Sequence, residues 1–293
     1  MQWSAKTSYR LSAALVLLMV LQPSLGLGLA HQYRDEGWIR STWWGNDWVT
    51  LGIGAPLLVI ALLLVRRGST RGVLLWVGML GYAVYNFAFY LLGATLNVFF
   101  PLYVAAFVLA AAALILTLGR LDVADAATHF RPGTPARLVG GYLVFVAIGL
   151  TTVWLAMWAA HILTGRSVPG GLDAFRLVAA LDLALMVPAL AAGGVLLWKR
   201  RPWGYVIAAL ASVQGALYLL VLAVNGAVAI RQGFVEAPGE LPIWGTLMVT
   251  TAVAAALLLL YVQADRPGVP RSAERAPGPD GDLGRPERAG DIR

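Results

Sequence analysis

Apolar residues run along this chain in blocks of about 20, the length that carries an α-helix across a hydrocarbon core, with short polar or basic segments between them. The blocks fall near 11–30, 49–65, 73–95, 101–118, 138–163, 175–197, 204–229 and 244–263. This pattern predicts an all-α polytopic bundle of eight transmembrane spans within residues 1–263. Residues 264–293 are rich in Pro, Gly and charges of both signs. Such a segment buries too little surface to offset its ordering entropy, and a disordered cytoplasmic tail is expected there.

Polar positions inside the blocks are few and periodic. The third block places Tyr82, Asn86, Tyr90, Gly93 and Asn97 at steps of three or four, on one helix face. The fifth does the same with Thr151, Trp154, Trp158 and His161, and the seventh with Gln214, Tyr218 and Asn225. Each stripe is expected to face the bundle, because a polar group left in lipid costs several kcal/mol. The sixth block carries an acid, Asp182, about 10 Å below its outer boundary at a rise of 1.5 Å per residue. Asn86 lies near mid-membrane, and Tyr90, Asn225 and His161 about 5–10 Å below the outer face.

Two readings of Asp182 stay open. It is either a structural lock bonded to Tyr or Asn on neighbouring helices, or it binds a cation, a proton or a polar ligand, as intramembrane ionisable groups often do. The ligand-binding set on the second reading is Asp182, Asn86, Tyr90, Tyr82, His161, Trp158, Asn225 and Tyr218, lining an outward-facing cavity among spans three, five, six and seven. Pro188 lacks an N–H and clashes with the carbonyl of Ala184, so the sixth helix is expected to kink just below the acid.

Charge orients the bundle. Lys6 and Arg10, then Arg66, Arg67 and Arg71, then Arg120, Arg131 and Arg137, then Lys199, Arg200 and Arg201 place basic residues on every second connection. Basic residues concentrate in loops that stay cytoplasmic, so both termini are expected inside. The net charge of +7 is thereby spread over several loops, unlike the single basic face of a nucleic-acid binder; nucleic acid is excluded as a partner, the lipid bilayer is required, and oligomeric state is left open. All but Lys6 and Lys199 of the 22 basic residues are Arg, a bias that with abundant Ala, Gly and Val points to a bacterial inner (cytoplasmic) membrane.

The N-terminal block and the loop after it each admit two readings. "MQWSAKTSYR" followed by "LSAALVLLMVLQPSLGLGLA" resembles a secretory signal, with Ser24 and Gly26 as small residues near a cleavage point; its apolar stretch is long for that, and a retained helix is preferred. The loop "HQYRDEGWIRSTWWGNDW" reads as an interfacial aromatic belt or as a lid over the cavity. In it Gly45 and Asn46 predict a turn, and Asp47 predicts the N-cap of span two.

A weak internal repeat is also visible. "APLLVIALLLVRRGSTRG" and "VPALAAGGVLLWKRRPWG" run alike from Pro through apolar residues to paired basic residues and Gly. Counted from Gly72 and Gly204, Tyr82 and Asn86 correspond to Gln214 and Tyr218, and Gly93 to Asn225. The spans concerned lie four apart, so a 4+4 duplication would be of the parallel type, its axis along the membrane normal.

Motifs of chemistry are missing. There is no His-Glu-x-x-His, no acid pair spaced for a metal and no phosphate loop. With 3 His and 0 Cys, neither a bis-His haem site nor thiol chemistry is supported. No catalytic residue, metal or cofactor is therefore predicted. The segments "LDLALMVPALAAGGVLLWKRRPWGYVIAAL" and "VYNFAFYLLGATLNVFFPLY" resemble a family of uncharacterised bacterial polytopic membrane proteins; the resemblance implies the bundle architecture and no activity. Binding or transport of a small polar or cationic solute, or of a proton, is the leading expectation. A non-catalytic scaffold or sensor comes second and a membrane enzyme acting on lipid third.

Overall fold

The computed structural model describes residues 2–168, 170–234, 239 and 241–263. The expected tail, 264–293, lies outside the described residues. Among those described, eight helices are long and apolar enough to cross a membrane: Lys6–Gly28, Ile39–Arg66, Thr70–Gly93, Phe100–Leu118, Ala136–Thr164, Leu172–Trp198, Pro202–Arg231 and Leu241–Leu260. They are called spans one to eight below. The protein is an all-α membrane bundle.

Span two corrects one expectation. The Trp-rich loop was expected to run as far as 48, but Gly37–Val49 is helical and continues through Thr50–Gly54 into Ala55–Arg66. Gly45 and Asn46 form no turn, and Asp47 caps nothing: it sits inside the helix with its side chain fully buried. The stretch is amphipathic, with Ser41, Asn46 and Asp47 buried and Trp48 57% exposed, so a search for unbroken hydrocarbon misses it.

Spans three and seven form the centre, and they cross where glycines admit the partner helix. A Cβ on Gly78 would lie 2.5 Å from the Cβ of Val213, and one on Gly81 would lie 2.8 Å from Oε1 of Gln214 and 3.2 Å from Leu210. Span two leans on span three where Gly72 meets Leu64 and Val65, and span six leans on span seven where Gly204 meets Leu196 and Leu197. These pairs share the separation along the chain that divides Gly72 from Gly204.

The same separation relates many other features. Gly68 and Arg200, the residues with left-handed backbone in the two hairpins, have φ of 76° and 53°. Gly68 N donates to Val65 O at 2.9 Å as Arg200 N donates to Leu197 O at 2.8 Å, and Ser69 N reaches Leu64 O as Arg201 N reaches Leu196 O. The crossing contacts exchange under the same operation, Gly78 with Val213 becoming Leu210 with Gly81. Toward the end away from the basic connections Gly45 lies against Asn225, and its exchanged counterpart is Leu177 against Gly93. Contacts that map onto one another by exchanging halves define a pseudo-twofold axis between spans three and seven. Equivalent spans lie four apart and run the same way, so the axis follows the membrane normal, as the parallel repeat requires.

Both ends of the bundle are tied down. At the basic end Arg71 donates through Nε to Val262 O at 3.0 Å, Gln263 N donates to His129 O at 2.7 Å and Arg131 N to Tyr261 O at 3.0 Å. At the opposite end Asp35 accepts from Trp43 Nε1 at 2.9 Å, Thr95 N at 3.0 Å and Thr95 Oγ1 at 2.8 Å, joining the connection after span one to that after span three.

Candidate functional site

Proline shapes the helix that carries the acid. In span six the backbone takes the form of a π-turn over Asp182–Met186, and Val187 N–H donates to Asp182 O ahead of Pro188. The kink expected at this proline is thus absorbed over five residues. Span two does the same: Thr50–Gly54 is a π-turn, Ala55 N–H donates to Thr50 O, and Pro56 follows. Thr50 and Asp182 are therefore equivalent residues, each opening the wider turn. Such bulges rotate the following residues and occur often at functional positions.

Asp182 is fully buried and accepts three hydrogen bonds from three spans. Tyr85 OH donates to Oδ1 at 2.6 Å, Trp154 Nε1 donates to Oδ2 at 2.9 Å and Tyr218 OH donates to Oδ2 at 3.1 Å. All three donors are neutral. The equivalent position in the other half repeats the arrangement without charge: Asn86 Nδ2 donates to Thr50 Oγ1 at 3.2 Å, and the hydroxyls of Thr50 and Tyr82 are bonded at 2.9 Å. Asn86 and Tyr218 are themselves a related pair.

A void of about 50 Å³ lies between the halves, lined by Asn46, Tyr82, Tyr85, Asn86, Phe89, Val178, Tyr218, Val221, Leu222 and Asn225. Spans two, three, six and seven supply these residues. Span five, expected to line the cavity, contributes none; its Trp154 reaches Asp182 instead. Asp182 stands behind the lining, and two of its three donors, Tyr85 and Tyr218, form part of the wall.

A second buried acid was not anticipated in this role. Asp47 accepts from Tyr33 OH through Oδ2 at 2.7 Å, and from Tyr90 OH at 2.8 Å and Gln22 Nε2 at 3.1 Å through Oδ1. These donors bring together spans one, two, three and the connection after span one. None of them lines the void. Burial, and after it the neighbouring Asp47, push the Tyr33 phenol well above its ordinary value, which keeps it a donor. Stacked and tilted rings, Tyr33 on Trp43, Trp43 on Tyr90 and Tyr90 on Tyr103, enclose this lock.

The predicted site residues therefore divide. Tyr82, Asn86, Tyr218 and Asn225 meet at the void, with Asp182 behind it. Tyr90 belongs to Asp47. Trp158 is 54% exposed on the outside of span five, and His161 is held at the end of that span by a bond between Nδ1 and Arg166 O at 2.8 Å. The stripe on span five does not face inward as a whole, because only Trp154 has a partner across the interface. Tyr85 was missed for the converse reason. A central helix has two partnered faces, and Tyr82, Asn86 and Tyr90 mark the one toward span two while Tyr85 marks the one toward span six.

Fold and site together define a multi-pass helical membrane protein with a small void, backed by the Asp182 carboxylate, between two pseudo-equivalent halves. Comparison with family profiles, curated proteins and solved structures finds no match.

Proposed function

We propose that this protein binds or transports a small polar or cationic solute, or a proton, through the void between its halves, with Asp182 as the charge that selects it. The observation that carries this reading is the shared use of Tyr85 and Tyr218, whose hydroxyls hold the carboxylate while their side chains line the void. A carboxylate placed in a bilayer among neutral donors is costly, and such groups typically mark ion, proton or substrate paths. The position of the void between repeats suits alternating access, in which one half rocks against the other about a fixed site. The void-lining residues Asn46 and Phe89 neighbour the outer end of the bundle, and the basic connections crowd the other end. By the positive-inside rule that basic end, with both termini, faces the cytoplasm of a bacterial inner membrane.

The test is a thermal-unfolding screen of the purified protein at fixed ionic strength against monovalent salts, small amines, amino acids and urea. On this reading at least one probe raises the unfolding midpoint, and Asp182→Asn, expressed at wild-type abundance, loses that response. A second reading, a scaffold in which the acids only join helices, is favoured by the three donors that satisfy Asp182 fully. It requires that no probe shift the midpoint and that Asp182→Asn lower abundance.

A further inference from the structure

The turn between spans six and seven carries its charges at a backbone cost. Arg200 stands in left-handed conformation at φ 53°, where the equivalent turn between spans two and three uses Gly68 at 76°. Among the described residues no other non-glycine residue has a positive φ. An L side chain loses stability there that glycine would spare, and backbone strain of this kind collects where a side chain is put to use. Within the protein the Arg200 guanidinium is not used: it is exposed, and among the described residues no hydrogen bond or ion pair holds it. Lys199 and Arg201 are likewise exposed and unpaired, and Trp198 and Trp203, 51% and 45% exposed, flank the three cations. The start of span five completes the group. A Cβ on Gly140 would lie 2.9 Å from Trp198 N, and one on Gly141 would lie 3.1 Å from the Trp198 ring. Arg137, one turn nearer the basic end on the same face of span five, therefore stands beside the turn, and it too is exposed and unpaired. The acids of the connection after span four, Asp122 and Asp125, pair with none of these four cations.

We propose that this turn and the start of span five bind the headgroup of an anionic phospholipid, with Arg137, Lys199, Arg200 and Arg201 serving its phosphate and Trp198 and Trp203 set at the level where headgroup meets acyl chain. Charge, depth and the neighbouring surface choose this occupant together. Four cations without a countercharge call for a net negative partner, and Arg matches phosphate oxygens with paired N–H donors. Half-exposed Trp rings at the ends of two membrane helices mark the interfacial layer, where the phosphate at hand belongs to a lipid, and basic pockets between helices at this level take anionic headgroups. Beyond the turn, Leu138, Phe145 and Val195 leave apolar side chains exposed on spans five and six, a surface along which acyl chains can lie. The other hairpin is built differently. Arg66 and Arg71 stand where Trp198 and Trp203 do, and Arg71 is spent on the carbonyls of Val262 and Leu260. The pseudo-twofold is thus broken at the membrane surface, one turn tying the fold together and the other holding lipid.

The experiment is titration of the full-length protein in non-ionic detergent with phosphatidylglycerol, read by the thermal-unfolding midpoint, beside phosphatidylcholine of the same chains and inorganic phosphate. Phosphatidylglycerol should raise the midpoint saturably, and the other two should leave it unchanged. Arg200→Gly should raise the half-saturating mole fraction of phosphatidylglycerol about fivefold, the factor equivalent to about 1 kcal/mol for a basic residue near an anionic surface, although its lipid-free midpoint is no lower than that of wild type. Lys199→Gln combined with Arg201→Gln should raise it about 25-fold on the same scale. Arg66→Gln combined with Arg67→Gln, which removes as much charge from the other hairpin, should change it less than about twofold. No response to phosphatidylglycerol, or an equal one to phosphatidylcholine, overturns the proposal. A response to inorganic phosphate makes the site one for a dissolved anion and overturns the lipid assignment. Equal losses in the two hairpins reduce the effect to overall charge, and a response that Arg200→Gly keeps unchanged leaves the strained residue without its use; either result overturns the site.

Discussion

Replacing Gly26 by Ala tests whether Asp47 is a lock. A Cβ at this position would fall within the van der Waals radii of Asp47 Oδ2 and the Tyr33 hydroxyl, with Asp47 Cγ at 3.0 Å. Neither atom is the loose end of a free side chain: both belong to the bonded cluster of Tyr33, Tyr90, Gln22 and Asp47. The methyl must turn the carboxylate away from about two of its three donors. At about 1.5 kcal/mol for each bond to an acid, less the roughly 0.7 kcal/mol by which Ala favours a helix over Gly, the net loss is roughly 2 kcal/mol. Gly28, two residues further on, is the control, because a Cβ there meets nothing within 4 Å. Reversible unfolding of the two variants in mixed micelles should show Gly26→Ala destabilised and Gly28→Ala unchanged or slightly stabilised. On a Tyr33→Phe background, where one of the two obstructing oxygens is gone, Gly26→Ala should cost less. Equal stability of the two alanine variants would refute the placement of Asp47 against span one.

Three further outcomes follow from the same coordinates. Arg71→Gln removes the guanidinium bonds to Val262 O and Leu260 O, so hydrogen exchange at the C-terminal turn of span eight should quicken about tenfold while the centre of span three stays protected. Arg200 holds a left-handed backbone at φ 53° where its counterpart Gly68 is glycine; Arg200→Gly should stabilise the protein by about 0.5–1 kcal/mol in equilibrium unfolding, since L residues pay for that conformation. The third concerns pH. The folded state keeps Tyr33 neutral, its phenol raised above the ordinary value of 10.0 by burial and Asp47, whereas the unfolded chain ionises there. Its stabilising contribution is thus fully present below that pH and is lost as pH rises beyond it. The stability difference between wild type and Tyr33→Phe should be constant from neutral pH to about pH 9 and shrink in more alkaline solution.

The spans were legible in the sequence because hydrocarbon length is a one-dimensional requirement, and the repeat was legible in its hairpins, where a Pro, a basic pair and a Gly serve backbone geometry. Partner choice was not. Asp is favoured both as a helix cap and, rarely, as a buried hydrogen-bond acceptor, and Asp47 sits between an aromatic stretch and an apolar run in a context that suits either. What distinguishes them is Gln22, Tyr33 and Tyr90 arriving from three distant segments. Trp154 and Trp158 share a stripe and a residue type, yet one reaches Asp182 and the other faces outward, because span six covers only part of span five. Tyr85 could have been found by asking which residues stand one helical face away from a known stripe on the most enclosed span. The exchange of Gly78–Val213 for Leu210–Gly81 needed the crossing itself.

Thr50 offers the sharpest test of how the halves work together. It is fully buried, does not line the void, and holds two residues that do, Asn86 by its nitrogen and Tyr82 by its hydroxyl. In Thr50→Val the shape is nearly kept, but both partners lose their bond, and the Asn86 amide and the Tyr82 hydroxyl become free to turn. The loss of a buried hydroxyl should cost about 1–2 kcal/mol in stability, as it would for any packing role. A purely structural Thr50 would stop there. A positioning role predicts in addition that the half-saturating concentration of a solute that raises the wild-type unfolding midpoint rises roughly fivefold, equivalent to about 1 kcal/mol, and that Thr50→Ser, which restores the hydroxyl without the methyl, returns it to the wild-type value. An unchanged solute response in Thr50→Val would show that the orientation of Asn86 and Tyr82 does not matter to the occupant. The bonds of Thr50 would then serve packing alone, while the equivalence of Thr50 with Asp182 in the fold would stand.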